Sequence, residues 1–208
     1  MMLRSYALVL MALTLSGCTP PQVRYHTLLS STPVMTAPHA APYLIDMAPV
    51  GVPQSLDLQQ IVVRQGQSSM ARLENDRWLS PLDEELRSAL SAGITARLNT
   101  QDVAGLPGGE NQPVVRITVQ IRRFDTWPGQ RLTLEADWRL ATKARGERVS
   151  LVCKSVLTAK PPADSQQLFL RWQTLVAQLA GEIADTQSAW ANAGYPSSAA
   201  CRQAAAAP

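Results

Sequence analysis

The chain has 208 residues, of which 46% are hydrophobic and 17% are charged. This composition is typical of a globular protein and excludes a disordered chain. The net charge of +3 is too small to indicate nucleic-acid binding. We therefore expect one folded domain with tails.

Residues 1–17 have the layout of a bacterial export signal. Arg4 and the amino terminus supply positive charge, an apolar run extends from Tyr6 to Leu15, and two small residues follow it. The run is shorter than the roughly 20 apolar residues that span a bilayer. Two prolines after it would end a soluble helix. We predict a signal peptide that is removed.

The four residues 15–18, Leu-Ser-Gly-Cys, resemble the lipobox of bacterial lipoproteins. This resemblance implies cleavage before Cys18, a diacylglyceryl group on its thiol and an acyl group on its new amino terminus. Each buried CH₂ contributes about 0.8 kcal/mol, and two or more chains hold a protein stably at a membrane. Thr19 stands where enterobacterial lipoproteins of the inner membrane have Asp, which favours the periplasmic face of the outer membrane.

Cys153 and Cys201 are the remaining cysteines. In the oxidising periplasm such a pair can form a disulfide, and closing a loop of about 50 residues adds on the order of 4 kcal/mol in the chain-entropy model. The alternative is a buried Cys153 thiol and a Cys201 thiol on a frayed tail. The sequence leaves both interpretations open, because it does not show the Cα separation.

Residues 18–42 are rich in Pro, Ser, Thr and Ala, which indicates an extended tether that carries the lipid at its start. One short strand is expected within it, between Val23 and Leu29. His26 and His39 both lie in this segment, and we expect them to be solvated because a tether does not hold a base in a catalytic geometry. The folded domain is expected over residues 43–190.

The domain opens with a proline-limited edge strand at residues 43–53 and two short strands within residues 61–73. An amphipathic helix then follows, with Ser80 as its expected N-cap and Pro81 as its first residue. Its acidic first turn is explained by the helix dipole rather than by metal or acid–base chemistry. The apolar face comprises Leu82, Leu86, Leu90, Ile94 and Leu98.

Three strands with alternating apolar residues come next, at residues 114–122, 131–140 and 148–157. Their short links predict an antiparallel meander. The inward phase includes Cys153, which favours a buried thiol over an exposed bridge. The other side chains expected inward are Val115, Ile117, Val119, Ile121, Leu132, Leu134, Ala136, Trp138, Leu140, Val149, Leu151 and Leu157.

A second amphipathic helix is predicted after Pro161 and Pro162. Residues 191–208 form an Ala-rich tail that we expect to be disordered. Strands in groups with two helices predict an α+β fold, in which both helices pack on one face of an antiparallel sheet. The helix has its apolar residues at Leu168, Trp172, Leu175, Leu179 and Ile183.

Catalytic signatures are missing from the sequence: it has no C-x-x-C, H-E-x-x-H, G-x-S-x-G or P-loop motif. A catalytic constellation is therefore hard to assemble from these residues, and we expect no cofactor and no metal. Between residues 114 and 160, ten basic residues stand against four acidic ones. Either these basic residues lie on a solvated sheet face, or they form a surface that binds an acidic protein or phosphorylated lipid headgroups.

The candidate contact residues on this surface are Arg116, Arg122, Arg131 and Arg139. Trp78 is a fifth candidate, although a Trp just before a helix is more often a core anchor.

Residues 77–90, RWLSPLDEELRSAL, are similar to the Trp-x-x-Pro-Leu helix start of the ABC-type transport auxiliary lipoprotein family, the PqiC family. The order of lipobox, Tyr25 strand, edge strand, helix, meander and final helix also fits. The stretch LTLEADWRL resembles the family's strand that ends in Trp. The resemblance covers nearly all of the chain after the signal, up to about Ala189.

The resemblance implies a non-enzymatic outer-membrane lipoprotein that serves an MCE-protein system, whose periplasmic tunnel moves lipids between the membranes. The implied partner is an MCE-domain, PqiB-like protein, and the lipid on Cys18 would hold the domain at the outer membrane. A homo-oligomeric ring is a further hypothesis, because a symmetric tube is best met by a symmetric partner. Two rival functions stay open, a periplasmic lipid-binding carrier and an envelope hydrolase.

Overall fold

A computed structural model describes residues 22–31, 37–106, 112–162, 165–196 and 201. Cys18 and the expected signal peptide lie outside these residues, as does most of the expected disordered tail. The described part confirms the α+β class. Its elements are β1 (Arg24–His26), β2 (Leu44–Met47), β3 (Gln60–Arg64), β4 (Met70–Trp78), α1 (Leu82–Leu98), β5 (Val114–Trp127), β6 (Arg131–Ala144), β7 (Glu147–Ala159) and α2 (Ser165–Asn192).

The strands form two sheets, with the orders β1-β4-β3 and β2-β5-β6-β7. β5, β6 and β7 form the expected antiparallel meander. β1 and β2 differ from the expectation, because β1 pairs parallel with β4 and β2 pairs parallel with β5. Each of these pairs is separated in the chain by other elements, and a parallel pair requires such a long crossover.

The inner face of the four-stranded sheet carries both helices. The alternating side chains Val115 to Ile121 and Leu132 to Leu140 are buried as expected. A buried chain of hydrogen bonds ties α2 to this face: the Trp138 indole donates to the Ser155 hydroxyl, which donates to the Glu182 carboxylate. Burial of these apolar residues stabilises the fold by about 25 cal/mol for each Å² removed from water.

The two helices approach each other closely at Gly93 of α1. A Cβ atom built on Gly93 would lie 2.8 Å from the Cβ of Ala180 on α2. That distance is shorter than any ordinary carbon–carbon contact, which is about 3.5 to 4.0 Å. Glycine at this position therefore sets how near α1 and α2 can lie.

The start of α1 differs from the expected Ser80 cap. The N-cap is Pro81, and it makes no side-chain capping bond, so Ser80 is not the cap. Glu85, inside the helix, takes over part of this role because its carboxylate accepts a hydrogen bond from the Ser80 amide at 3.1 Å. The same carboxylate accepts a bond from the Leu28 amide at 2.8 Å. Glu85 is therefore more than a charge at the helix dipole: it joins α1 to the residues after β1.

Candidate functional site

The strand β1 is fixed to the domain by charged contacts. Arg24 donates from Nε and Nη2 to the two carboxylate oxygens of Asp76 on β4, at 3.0 and 2.9 Å. The Nε2 atom of His26 lies 2.7 Å from Asp76 Oδ1. The His26 ring stacks on Phe169 of α2 with the ring centroids 3.4 Å apart. The expectation of a solvated His26 is therefore wrong, because parallel pairing with β4 brings a carboxylate beside it.

Asp76 is the centre of this cluster. Burial would raise the pKa of its carboxyl, but the hydrogen bonds from Arg24 and His26 and their charges outweigh burial and lower that pKa below its ordinary value. The side chain of Asp76 is only 13% exposed. Asp76 therefore stays ionised at neutral pH and holds both residues of β1.

A second set of contacts fixes the residues after β1. The Thr27 hydroxyl donates to Glu85 at 2.7 Å, and the Leu28 side chain is buried in the core. The Gln173 amide donates to the carbonyls of Thr27 and Leu29 at 2.9 and 3.2 Å. Residues 24–29 thus belong to the folded domain, although their composition places them in the tether.

The meander turns a second face away from the helices, and we call it the outer sheet face. On it, Arg122 pairs with Asp137 at 2.7 Å and Arg123 pairs with Glu135 at 3.1 Å. All four side chains are at least partly exposed. Such exposed pairs are worth little in stability, about 0 to 1 kcal/mol each. Their effect here is to neutralise the middle of the outer sheet face.

One end of the outer sheet face keeps an excess of positive charge. A shallow cavity of about 690 Å³ lies over the paired ends of β5, β6 and β7. We call it the basic groove. Arg116 in it pairs with Asp46, and Arg139 donates to the Ser150 hydroxyl at 3.0 Å. The cationic residues that line the groove are Arg116, Arg139, Lys143 and Arg148.

The structure separates the candidate contact residues. Arg116 and Arg139 meet in the basic groove, whereas Arg122 is not part of its lining and pairs with Asp137. Arg131 lies at the far end of β6, where its guanidinium stacks over the Trp127 ring at 5.7 Å. At about 3.4 Å per residue, the eight positions from Arg131 to Arg139 span roughly 27 Å.

Trp78 is not a surface residue. Its side chain is 3% exposed, and it makes edge-to-face contacts with Phe124 and Phe169, with centroids 6.2 and 5.8 Å apart. These contacts join β4, β5 and α2. Trp78 is therefore a core anchor, and a partner contact at this residue is excluded because the ring is covered.

Cys153 and Cys201 form a disulfide with their Cα atoms 5.7 Å apart. Cys153 has the inward phase and is buried, so the inward phase does not prevent bridging. The reason is that β7 is an edge strand of the described sheet, so a residue beyond α2 can reach its side. The bond fixes position 201 of the Ala-rich segment to the domain.

A second cavity, of about 500 Å³, lies between the ends of α1 and α2 and residues 37–43. Tyr43 and Tyr195 line it, and burial raises the pKa of both hydroxyls. In the described ranges no group of three His, Cys, Asp or Glu side chains could hold a metal ion. Among the helices of those ranges, none is long and apolar enough to cross a membrane.

The family model for the ABC-type transport auxiliary lipoprotein component matches residues 26–184. The chain belongs to this family. The match begins at the last residue of β1 and ends within α2, so it covers most of both sheets and both helices. It therefore includes the His26–Asp76 cluster and the basic groove.

Two curated relatives in this family are named intermembrane transport lipoprotein PqiC, one from Escherichia coli strain K12 and one from Shigella flexneri. Each is 25% identical over 120 residues, which is 56% of this chain and 64% of the relative. The aligned part thus spans somewhat less than two thirds of the relatives' length.

Two crystal structures share the fold. One, of an uncharacterized protein, is 24% identical with a TM-score of 0.60, and the match covers 79% of this chain and 97% of that one. The other, a DUF330 protein from Xanthomonas campestris, is 14% identical with a TM-score of 0.56, covering 81% of this chain and 99% of that one. At these identities the likeness shows the architecture alone.

Proposed function

We propose that this chain is a lipoprotein anchored through Cys18 to the periplasmic face of the outer membrane, where it is a non-enzymatic auxiliary subunit of an MCE-protein system. In this role it receives the periplasmic MCE tunnel and supports lipid transport between the membranes. The observation that carries the proposal is the family match over residues 26–184. The name of the curated relatives, intermembrane transport lipoprotein, supports the same role.

The basic groove is the surface that we assign to the partner. Four cationic side chains line it, and of these Arg116 is paired with a carboxylate. The remaining positive charge suits an acidic surface, because charge complementarity speeds association and fixes orientation. The partner of this surface is the PqiB-like MCE protein, and its contacting residues should be acidic.

A homo-oligomeric ring is the second element of the proposal. The MCE tunnel is a symmetric tube, and a closed ring of identical subunits presents the same surface to each position of such a tube. Sedimentation of the purified chain, alone and with its MCE partner, tests this. A chain that stays monomeric in both samples would exclude the ring and leave the docking role standing.

The rival carrier function requires an apolar pocket between the helices and the sheet. In the structure this space contains fully buried side chains of both helices, among them Leu86, Leu90 and Leu179. Native mass spectrometry of the purified chain would show a bound lipid if it is a carrier.

The rival hydrolase function was weakened by the expectation that His26 lies in a tether and is solvated. That objection no longer holds for His26, because its side chain is held beside Asp76. The family match supports a non-enzymatic role instead. A His26→Ala, His39→Ala double variant should therefore keep its envelope function, provided that it folds.

The decisive experiment is a pull-down. The full lipidated chain, solubilised in mild detergent, should capture an MCE-domain protein from the same envelope. The control is an unrelated outer-membrane lipoprotein that is lipidated on its own N-terminal cysteine. Failure of a correctly lipidated and folded chain to bind the MCE protein would overturn the proposed partner.

A further inference from the structure

Exposed apolar side chains are concentrated around β1. Nine large apolar side chains are strongly exposed among the described residues, and five of them belong to segments that meet at this strand. Tyr25 and Leu170 are each 61% exposed. We call this group the β1 margin, and its members are Val23, Tyr25, Leu29, Leu79 and Leu170.

Contacts between the segments that carry these side chains bring the segments together around β1. The Leu79 amide donates to the His26 carbonyl at 2.8 Å, which places Leu79 beside β1. The Gln173 amide binds the carbonyl of Leu29, and Leu170 lies one turn before Gln173 on α2, so it is on the same side of that helix. Phe169, next to Leu170, stacks on His26.

The distance from this margin to the anchor is short. Val23 is the fifth residue after Cys18, and a fully extended chain reaches at most about 3.6 Å per residue, or about 18 Å over these five steps. By comparison α2, with 28 residues, is about 42 Å long at 1.5 Å per residue. A lipid on Cys18 therefore keeps Val23, the first residue of the β1 margin, within a distance of the anchor that is less than half the length of α2.

We propose that the β1 margin is the membrane-facing surface of the domain and lies in the headgroup region of the bilayer to which Cys18 is anchored. This inference rests on the proposed lipid anchor and adds the orientation of the domain to it. Apolar and aromatic side chains on one surface bind at the boundary of headgroups and acyl chains, and Tyr is enriched at that depth.

The charges next to the margin fit a phospholipid surface. Arg24 and Arg171 are both exposed, and they flank Tyr25 and Leu170 in the chain. Asp76, which pairs with Arg24, is itself largely covered and offers little negative charge to the outside. Basic residues at a membrane are attracted by anionic headgroups, and their long side chains can keep the charge in the polar layer while the stems lie along apolar surface.

The test uses single cysteines on the full lipidated chain. Cys18 is acylated in this proposal and Cys153 is bonded to Cys201, so an introduced cysteine is the single free thiol. Tyr25→Cys and Leu170→Cys report on the β1 margin. Val156→Cys, on the outer sheet face and 55% exposed, is the matched control. Each variant is labelled with an environment-sensitive fluorophore and bound to vesicles of phosphatidylethanolamine and phosphatidylglycerol.

Lipids that carry a nitroxide near the headgroup should quench the labels at positions 25 and 170 at least about twofold more than the label at 156, because quenching requires contact within the interface. Equal quenching at all three positions, in protein that floats with the vesicles, would overturn the membrane-facing surface and leave the anchor intact. Labels at 25 and 170 that are blue-shifted but not quenched would overturn the membrane-facing surface and would indicate that a second copy of the chain covers the β1 margin. Chain that does not float would overturn the anchor and this inference together. Circular dichroism of each variant verifies its fold.

Discussion

His26 and Asp76 lie 50 positions apart in the chain, and their side chains meet at 2.7 Å. With Arg24 on the other carboxylate oxygen, they fix the first strand of the fold to β4. This relationship determines where the tether ends. Because the folded domain already includes residue 24, the proposed anchor at Cys18 would hold the domain through a short connection and not through a tether that extends to residue 42.

Removing the carboxylate should loosen this attachment. We expect Asp76→Asn to reduce the free energy of unfolding by about 1 to 3 kcal/mol, because two charge-assisted hydrogen bonds are weakened at a largely covered site. Urea unfolding at neutral pH measures this. The matched control is Asp185→Asn, which weakens an exposed pair with Arg97 and should cost only about 0 to 1 kcal/mol. Equal effects of the two substitutions would contradict the structural role of Asp76.

The same carboxylate predicts an acid-sensitive contribution to stability. The pKa of Asp76 is lower in the folded state than in the unfolded state, so the unfolded state binds its proton first as the pH falls. The stabilisation is fully present above about pH 4, the ordinary pKa of an Asp carboxyl, and is lost as the pH falls through the lower folded pKa. Urea unfolding between pH 7 and pH 2 should show a smaller acid-induced loss in Asp76→Asn than in the unmodified chain.

The regular elements could be predicted from the sequence because each repeats a local pattern. The alternation from Val115 to Ile121 and the four-residue spacing from Leu82 to Leu98 correspond to buried faces in the structure. β1 could not be recognised as part of the domain, because three residues carry no periodicity and their place depends on a partner strand 52 positions away. The parallel pairs were missed for the same reason.

The candidate site was predicted in part. The excess of basic over acidic residues in the meander indicated Arg116 and Arg139 as candidate contact residues. The sequence did not show which of the basic side chains are neutralised by ion pairs. Register decides this: Gln120 lies opposite Asp137, which brings Arg122 into an ion pair, whereas Lys143 and Arg148 face each other next to the turn that joins β6 to β7. The position of Trp78 just before a helix indicated a core anchor, and the structure agrees because the ring is buried. The alternative, a partner contact at Trp78, does not agree with that burial.

The close approach of the helices predicts a size limit at Gly93. Gly93→Ala should destabilise the fold by about 1 to 3 kcal/mol through overpacking against Ala180, although alanine alone would favour the helix by about 1 kcal/mol. Thermal unfolding measures the difference. The double variant Gly93→Ala, Ala180→Gly moves the methyl group to the other helix and should recover most of the loss. A stabilising Gly93→Ala would show that the helices can separate without cost.

The disulfide should contribute to stability through the unfolded state. It closes a loop with a sequence separation of 48 residues, for which Cys201→Ser is expected to cost about 2 to 4 kcal/mol. Urea unfolding with and without a reductant measures this contribution. The reductant should destabilise the unmodified chain and leave Cys201→Ser unchanged. A reductant effect of equal size on both would contradict the bridge.

The basic groove predicts which charge reversals weaken partner binding. Arg116→Glu with Arg139→Glu should reduce affinity for the MCE protein about tenfold or more, because two attractive charges become repulsive at one surface. Arg131→Glu changes the same residue type on the same strand but at its far end, and it should leave binding nearly unchanged. Surface plasmon resonance at low and high salt measures both effects, and raised salt should weaken the unmodified complex. If Arg131→Glu weakens binding as much as the groove variant, the partner does not dock at the groove.

The anchor predicts a separation of fold from location. Cys18→Ala should retain the unfolding temperature of the unmodified chain, because residue 18 precedes every helix and strand that the structure describes. It should lose its proposed place in the outer membrane, because the acyl chains supply the lasting attachment. The inner and outer membranes must be separated on a density gradient, since an uncleaved signal would hold the chain at the inner membrane. Cys201→Ser, which keeps the lipobox, is the control and should remain with the outer membrane. A Cys18→Ala chain that still fractionates with the outer membrane would show that the β1 margin or another surface holds it there without the lipid.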